Sequence, residues 1–219
     1  MQAILPAMPS EGVVYVVDDD ASVRKALGWL VESVGLEPRV HSSATEFLDS
    51  YDPDEVASLV LAVRLRGMSG LELVEKLQRE DRLPPTILIT AFPEFSTAVR
   101  GLKGGAIDIL RKPFSDQDLV DRIWQAIERS RARYRENAAV GGIRRRYDSL
   151  SARETEVLEL ILEGLSSIKI GERLSLSRRT VEGHRAQIYR KMQATSLAEL
   201  VRQVLTLRGV GPGALRETA

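Results

Sequence analysis

Residues 58–73 read SLVLAVRLRGMSGLEL, an apolar run followed by a glycine-containing loop and the start of a helix. Other short apolar runs, each bounded by polar, glycine or proline residues, occupy residues 13–17, 86–90 and 107–110. Short and nearly continuous runs of this kind are typical of strands buried on both faces of a parallel sheet. Amphipathic helical patterns separate them, so the sequence predicts an α/β doubly wound parallel sheet in this part of the chain.

Charged and hydroxyl-bearing side chains fall at the carboxyl ends of these predicted strands, and one alanine lies among them. In a doubly wound sheet, ligands bind in the crevice outside the carboxyl ends of the strands. We therefore expect a single site at this edge, formed by Asp18, Asp19, Ala62, Thr90 and Lys112.

This pattern resembles the receiver domain of two-component response regulators. The resemblance rests on the carboxylates after the first strand, on residues 58–73, on the sequence LITA at residues 88–91, and on KPF at residues 112–114. It implies a five-stranded, flavodoxin-like receiver domain over residues 12–131.

The resemblance also implies a role for each residue of the predicted site. Asp19 would bind magnesium directly and Asp18 would do so largely through water, while Lys112 would pair with the phosphoryl group. Thr90 would supply the hydroxyl that switches the domain. A simpler interpretation is that Asp18 and Asp19 cap the first helix and pair with Lys112.

Ala62 stands where this family carries the phosphate-accepting aspartate. Phosphotransfer to a receiver needs a carboxylate nucleophile, a divalent ion and a cation for the developing charge. Alanine supplies neither a nucleophile nor a metal ligand, so phosphotransfer at this position is excluded on chemical grounds. We expect no required cofactor, no enzyme activity and, at Asp18 and Asp19, only weak magnesium binding.

Two further positions depart from the family. Arg66 stands where proline is usual in the loop after the acceptor, and Ile109 stands where an aromatic switch residue is typical. A laboratory change of the acceptor to alanine would leave these neighbours ordinary. The departures therefore favour a naturally degenerate receiver over the alternative, an engineered phosphorylation-dead variant of a phosphate-activated regulator.

Two alternatives come from other functional classes. A magnesium-dependent phosphatase on a similar sheet could use Asp18 as its nucleophile, although it would leave the second half of the chain unexplained. An interaction protein that titrates a partner regulator would fail to bind DNA as a homodimer.

The second half of the chain carries helical patterns and no strand patterns. Ser151 to Glu154 form a predicted capping box, Ser177 and Ser196 are predicted helix caps, and Ser175-Leu176 is a tight turn between two helices. Residues 150–158, 164–166 and 177–185 resemble the LuxR-type domain of NarL/FixJ regulators. The resemblance implies a small all-α helix-turn-helix DNA-binding domain over residues 148–210, with Ser175 where glycine is usual.

At about 100° per residue, the predicted recognition helix divides into two faces. Val181, Ile188 and Met192 face the core. Glu182 and Gln187 can read base edges, whereas most basic residues suit phosphates, so much of the specificity is expected from DNA shape. The predicted DNA-binding residues are Arg178, Arg179, Thr180, Glu182, Gly183, His184, Arg185, Ala186, Gln187, Arg190 and Lys191.

The last predicted helix, from about residue 196 to 207, has an apolar stripe that exceeds what one small domain can cover. By resemblance we expect it to form the homodimer contact on two operator half-sites, through Leu197, Leu200, Val201 and Val204. The same family resemblance makes a sensor histidine kinase or another regulatory protein a candidate partner.

Composition excludes several other classes. The 31 basic and 31 acidic residues balance, so any contact with nucleic acid depends on local clustering of charge. There are no cysteines, hence no disulfide or thiolate site. No apolar run approaches the roughly 18 residues of a membrane helix, which predicts a cytoplasmic protein.

The segments outside the two predicted domains are assigned from their proline, glycine and charged residues. We expect a disordered lead-in over residues 1–11, a fraying tail over 211–219, and a linker over 132–147 that begins helical and ends flexible. In the linker, Gly141 and Gly142 are predicted to stop the helix. His41, at the end of the probable second strand, is expected at the surface.

Overall fold

The computed structural model describes residues 12–92 and 95–209, with the side chains of residues 95–97 left out. The predicted lead-in over 1–11, the tail over 211–219 and the predicted domain end at residue 210 lie outside the described residues. The chain divides into two compact units, Met1–Arg135 and Glu136–Ala219.

The first unit is built on five parallel strands: β1 (Val13–Val17), β2 (Glu37–His41), β3 (Ala57–Ala62), β4 (Thr86–Thr90) and β5 (Asp108–Arg111). Their order in the sheet is β2-β1-β3-β4-β5. Its helices are α1 (Ala21–Ser33), α2 (Ala44–Ser50), α3 (Gly70–Arg79) and α4 (Phe95–Lys103), and α5 (Asp116–Asp148) begins in this unit and ends in the second. This architecture confirms the predicted doubly wound sheet; β5 begins one residue later than the apolar run indicated.

The central strands separate two apolar layers. On β1 and β3, Tyr15 and Leu59 point into one layer with Phe47, whereas Val16 and Val60 point into the other. Successive side chains of a strand alternate between faces. Because both faces are covered by helices, both sets must be apolar, which explains the nearly continuous runs in the sequence.

The second unit contains α6 (Ala152–Leu162), α7 (Ser167–Leu174), α8 (Arg178–Met192) and α9 (Leu197–Leu207). Serine caps all four helices, and Ser151 forms the predicted reciprocal capping box with Glu154. Val157, Ile170, Ile188 and Leu200 are among the fully buried side chains of its core. The sequence predicted the caps at Ser151, Ser177 and Ser196 correctly, because capping is local chemistry, and it did not predict the cap at Ser166.

Helix α5 contradicts the predicted linker. It continues through Gly141 and Gly142 to Asp148, so residues 132–147 are helical and do not end flexibly. Beyond the two glycines, Ile143 and Tyr147 pack against the core of the second unit. Glycine in a helix interior costs up to about 1 kcal/mol relative to alanine, and this packing offsets that cost.

His41 also departs from its prediction, because it is buried. Its ring stacks on Tyr15 at 5.8 Å between centroids and meets Phe47 edge-on at 5.9 Å. Its Nε2 lies 3.4 Å from the hydroxyl of Ser50, and its Nδ1 has no hydrogen-bond partner among the described residues. Burial, assisted by the charge of Arg39 and opposed by that of Glu46, lowers the pKa of His41.

Among residues 12–92 and 95–209, no helix is both long enough and apolar enough to cross a membrane.

Replacing Gly141 or Gly142 with alanine should stabilise the second unit by about 0.5–1 kcal/mol each, because both glycines are helical and a Cβ there meets only ordinary contacts. Chemical denaturation followed by circular dichroism measures this. Gly164→Ala is the matched control and should destabilise, because Gly164 has φ +81°. If neither alanine variant changed the free energy of unfolding, the predicted flexible linker would be supported instead of a helix.

Stability should fall with acid in a way that depends on His41. Since its pKa is lower in the folded than in the unfolded state, the neutral ring stabilises the protein above about pH 6.5. That contribution is lost as the pH falls from there through the lower folded pKa. His41→Gln should flatten this part of the stability profile in urea denaturation, and equal slopes for wild type and His41→Gln would contradict the assignment.

Candidate functional site

The carboxyl edge of the sheet collects the residues that the sequence placed there. Asp18 directly follows β1, Ala62 ends β3, Thr90 ends β4 and Lys112 follows β5. The backbone N–H of Lys112 donates to the carbonyl of Thr90 at 2.7 Å, which continues the pairing of β5 with β4. Parallel register brings these residues together even though up to 94 positions separate them in the chain.

Asp18 and Lys112 form the central ion pair of this edge. The Lys112 ammonium donates to Oδ2 of Asp18 at 2.8 Å, and the Asp18 side chain is almost fully buried. Oδ1 of Asp18 accepts the backbone N–H of Asp20 at 3.0 Å. The predicted pairing with Lys112 is confirmed, but the predicted cap is wrong, since Asp20 caps α1 by accepting the N–H of Ser22.

Asp19 pairs with Arg66, a contact that the sequence did not predict. Nε of Arg66 lies 3.3 Å from Oδ2 of Asp19, and the same guanidinium donates to the Asp19 backbone carbonyl at 3.4 Å. The only sequence signal was a basic residue in the loop after β3. Its partner depends on how that loop meets the loop after β1, which residue spacing does not reveal.

Ala62, the last residue of β3, is buried and packs in the apolar layer that contains Val16 and Val60. Its carbonyl oxygen approaches Gly70 so closely that a Cβ at residue 70 would lie 2.2 Å away, so the start of α3 sits against the end of β3. Thr90 exchanges hydrogen bonds with the backbone of Phe92, accepting at 3.2 Å and donating at 3.3 Å. Ile109 is half-buried and packs on the apolar layer that contains Leu88.

This arrangement does not fit a magnesium ion. Magnesium prefers near-octahedral coordination by oxygen and gives up its water reluctantly. Asp18 and Asp19 are both in ion pairs, residue 62 has no oxygen in its side chain, and no group of three or more acidic or histidine ligands occurs in the described ranges 12–92 and 95–209. The phosphatase interpretation also loses support, because Asp18 is buried and paired with Lys112.

A helix-turn-helix in the second unit forms the other candidate site. Ser175, which stands where the resemblance has glycine, adopts the left-handed conformation with φ 53° and ψ 46°. The N–H of Leu176 donates to the carbonyl of Gly171 at 2.8 Å. A Cβ at residue 171 would lie 2.7 Å from the carbonyl oxygen of Leu176, so this close turn requires glycine in α7.

Helix α8 buries one face and exposes the other, as predicted. Val181, Ile188 and Met192 are fully buried. The outer face is exposed at Arg178, Arg179, Thr180, Glu182, Gly183, Ala186, Gln187 and Arg190, and His184 and Arg185 are half-exposed on its flanks. The basic groups on this surface suit DNA phosphates, and Gly183 and Ala186 allow close approach to the groove.

Glu182 and Gln187, the predicted base-reading residues, each accept a hydrogen bond from an arginine of the same helix. Glu182 accepts from Nε of Arg178 at 2.7 Å, and Gln187 accepts from the guanidinium of Arg190. Exposed pairs four residues apart contribute only about 0.3–0.5 kcal/mol. Glu182 can therefore exchange Arg178 for a base edge at small cost.

Lys191 is the exception among the predicted DNA-binding residues. Its ammonium donates to the buried carboxylate of Glu154 at 2.6 Å and to the carbonyl of Ser149 at 3.0 Å. Together with the N–H of Ser151, this contact lowers the pKa of Glu154. The prediction of Lys191 as a phosphate contact is wrong in this geometry, because the side chain ties α8 to the capped start of α6.

The predicted dimer stripe on α9 also needs correction. Leu200 and Val204 are 0% and 1% exposed and belong to the core of the second unit. Leu197 is 46% exposed and Val201 is half-buried. Two of the four predicted residues therefore belong to the core, and only Leu197 and Val201 are accessible for contact with another molecule.

Comparison with known proteins identifies both halves of the chain. Residues 14–124 match the response regulator receiver domain, and residues 148–204 match the luxR family of bacterial regulatory proteins. Both matches agree with the resemblances drawn from the sequence.

Similar proteins of comparable length carry both halves. Nodulation protein W of Bradyrhizobium diazoefficiens is 41% identical over 90% of this chain and 87% of its own length. Transcriptional regulatory protein FixJ of Azorhizobium caulinodans is 40% identical over 94% of this chain and 97% of its own. The solved structure of response regulator StyR has a TM-score of 0.81 at 37% identity, covering 89% of this chain and 98% of that one.

Lys191→Met should lower the free energy of unfolding by about 1–3 kcal/mol, because Glu154 loses a charged partner while remaining buried. It should leave the salt dependence of DNA binding unchanged. Arg185→Ala, the matched control, should keep the stability but reduce the slope of log affinity against log salt by about one. If Lys191→Met reduced the slope and kept the stability, Lys191 would be a phosphate contact.

Proposed function

This chain belongs to the response regulators that join a receiver domain to a LuxR-type DNA-binding domain, and we propose that it regulates transcription without phosphorylation of its receiver. The DNA-binding half follows from family membership. The proposal concerns the receiver, which would control DNA binding through contacts and conformation alone.

The observation that carries this proposal is the methyl group of Ala62 at the carboxyl edge of the sheet. In the family resemblance, this residue occupies the position of the phosphate acceptor. The two carboxylates that the resemblance assigns to the site are each in an ion pair, Asp18 with Lys112 and Asp19 with Arg66. No acyl phosphate can form on an alkyl side chain.

The neighbouring residues support natural loss of the acceptor over a laboratory change. Arg66 engages Asp19, and Ile109 packs on the core where the family usually has an aromatic residue. A substitution confined to residue 62 would not account for either feature.

DNA recognition would use the exposed face of α8. Arg179 and Arg185 would contact phosphates, Glu182 would accept a hydrogen bond from a cytosine amine, and Gln187 would read adenine. Gly183 and Ala186 carry no hydrogen-bonding side chain. With few direct readers, DNA shape and the spacing of half-sites would supply much of the specificity.

Homodimer formation on two half-sites would use the outer face of α9. Leu197, Val201 and the half-buried Leu205 recur every four residues, which places them on one side of the helix. A partner protein, with a sensor histidine kinase among the candidates, would act on the receiver by docking instead of phosphotransfer.

Treatment with acetyl phosphate and magnesium should leave the mass of the intact protein and its affinity for operator DNA unchanged, because residue 62 offers no nucleophile. A receiver with an aspartate at the acceptor position, treated in parallel, verifies the donor. A phosphoryl adduct accompanied by a change in DNA affinity would contradict the proposal. Absence of DNA binding before and after treatment would contradict regulation by direct DNA contact.

Leu197→Glu should abolish cooperative occupation of two half-sites while leaving the second unit folded, because Leu197 is exposed. Val204→Glu should instead unfold that unit, because the charge would enter its core. Electrophoretic mobility shifts on one and two half-sites, together with circular dichroism, separate these outcomes. Cooperative binding by Leu197→Glu would place the dimer contact elsewhere.

A further inference from the structure

Arg66 joins two loops of the receiver at the carboxyl edge of the sheet. Its guanidinium contacts both the side chain and the backbone carbonyl of Asp19, at 3.3 and 3.4 Å. Arg66 belongs to the loop after β3, and Asp19 belongs to the loop after β1. The contact therefore links the loops that follow two neighbouring strands, β1 and β3.

Asp18 and Asp19 are each paired with a cation, without a metal. Asp18 and Asp19 contribute two negative charges, and their ion-pair partners Lys112 and Arg66 contribute two positive charges. A divalent cation binding to Asp19 would have to displace the guanidinium or accept its repulsion at close range. In both carboxylates, Oδ2 is already in contact with a cation.

We propose that Arg66 is a built-in cation that takes the place of a divalent ion, holding the two loops together and excluding magnesium. This inference rests on the proposed function, in which the pocket at Ala62 no longer serves phosphotransfer. It assigns to Arg66 a positioning role that neither family match describes.

Arg64 provides a matched control in the same loop. It lies two residues before Arg66 and carries the same charge, but its guanidinium sits 5.4 Å from the ring centre of Phe92. Any effect of simply removing one positive charge from this loop should appear in both arginine variants. An effect confined to Arg66 must come from its contact with Asp19.

The experiment measures magnesium affinity by calorimetric titration of the full chain with MgCl2. Ala62→Asp supplies a third carboxylate, and this variant is compared with Ala62→Asp/Arg66→Ala and Ala62→Asp/Arg64→Ala. We expect removal of Arg66 to tighten magnesium binding about tenfold and removal of Arg64 to change it little. Equal affinity with and without Arg66, or equal gains from both arginine variants, overturns the proposal.

A second measurement keeps the test decisive if Ala62→Asp does not fold. The melting temperatures of the wild type and of Arg66→Ala are compared in MgCl2 and in NaCl of equal ionic strength. We expect magnesium to stabilise Arg66→Ala and to leave the wild type unchanged. Equal responses of the two proteins, whether both rise or neither does, overturn the proposal.

These readouts are independent of DNA and of phosphate donors. A failure here leaves phosphate-independent DNA binding as proposed. A phosphoryl adduct on the wild type would overturn the proposed function whatever the magnesium titrations show.

Discussion

Burial of β3 between β1 and β4 is the constraint on which the first unit depends. All six residues of the strand are buried, and Leu59 pairs with Tyr15 on one side and Thr86 on the other. Since the three strands are parallel, their carboxyl ends meet at one edge of the sheet. Packing therefore fixes the position of Ala62 at this edge whatever side chain stands there.

The same constraint gives the pocket residues a structural role. Asp18 is almost fully buried, and a buried carboxylate is costly unless a cation and hydrogen bonds compensate it. Lys112 supplies the cation, and the N–H of Asp20 supplies a hydrogen bond. Lys112 thus compensates the burial of Asp18, and the pair is not by itself evidence of phosphotransfer. The pair formed by Arg66 and Asp19 is more exposed than Asp18, so its presence is not explained by burial and bears more directly on the function of this edge.

In the second unit, helix α8 carries both basic residues that stabilise the fold and basic residues that are free to contact DNA. Lys191 forms an ion pair with the buried Glu154. Arg178, which carries the same charge, pairs with the exposed Glu182, and DNA can replace that partner. Helix α5 contributes to the same unit, since Ile143 and Tyr147 pack against its core. Segments that a sequence describes as a basic helix face and a linker are therefore partly structural elements of the DNA-binding domain.

The sequence by itself determined the sheet, the serine caps, the inward face of α8 and the residues gathered near Ala62, because period, capping and strand order are local or topological properties. It did not determine the pairing of Arg66 with Asp19, the burial of His41, the commitment of Lys191 to Glu154 or the inward turn of Leu200 and Val204. From the sequence we also predicted that α5 ends at Gly141 and Gly142, because glycine has a weak helix propensity, whereas the helix continues to Asp148. Each of these depends on which distant side chain packs opposite, and only the tertiary structure brings those partners within contact distance.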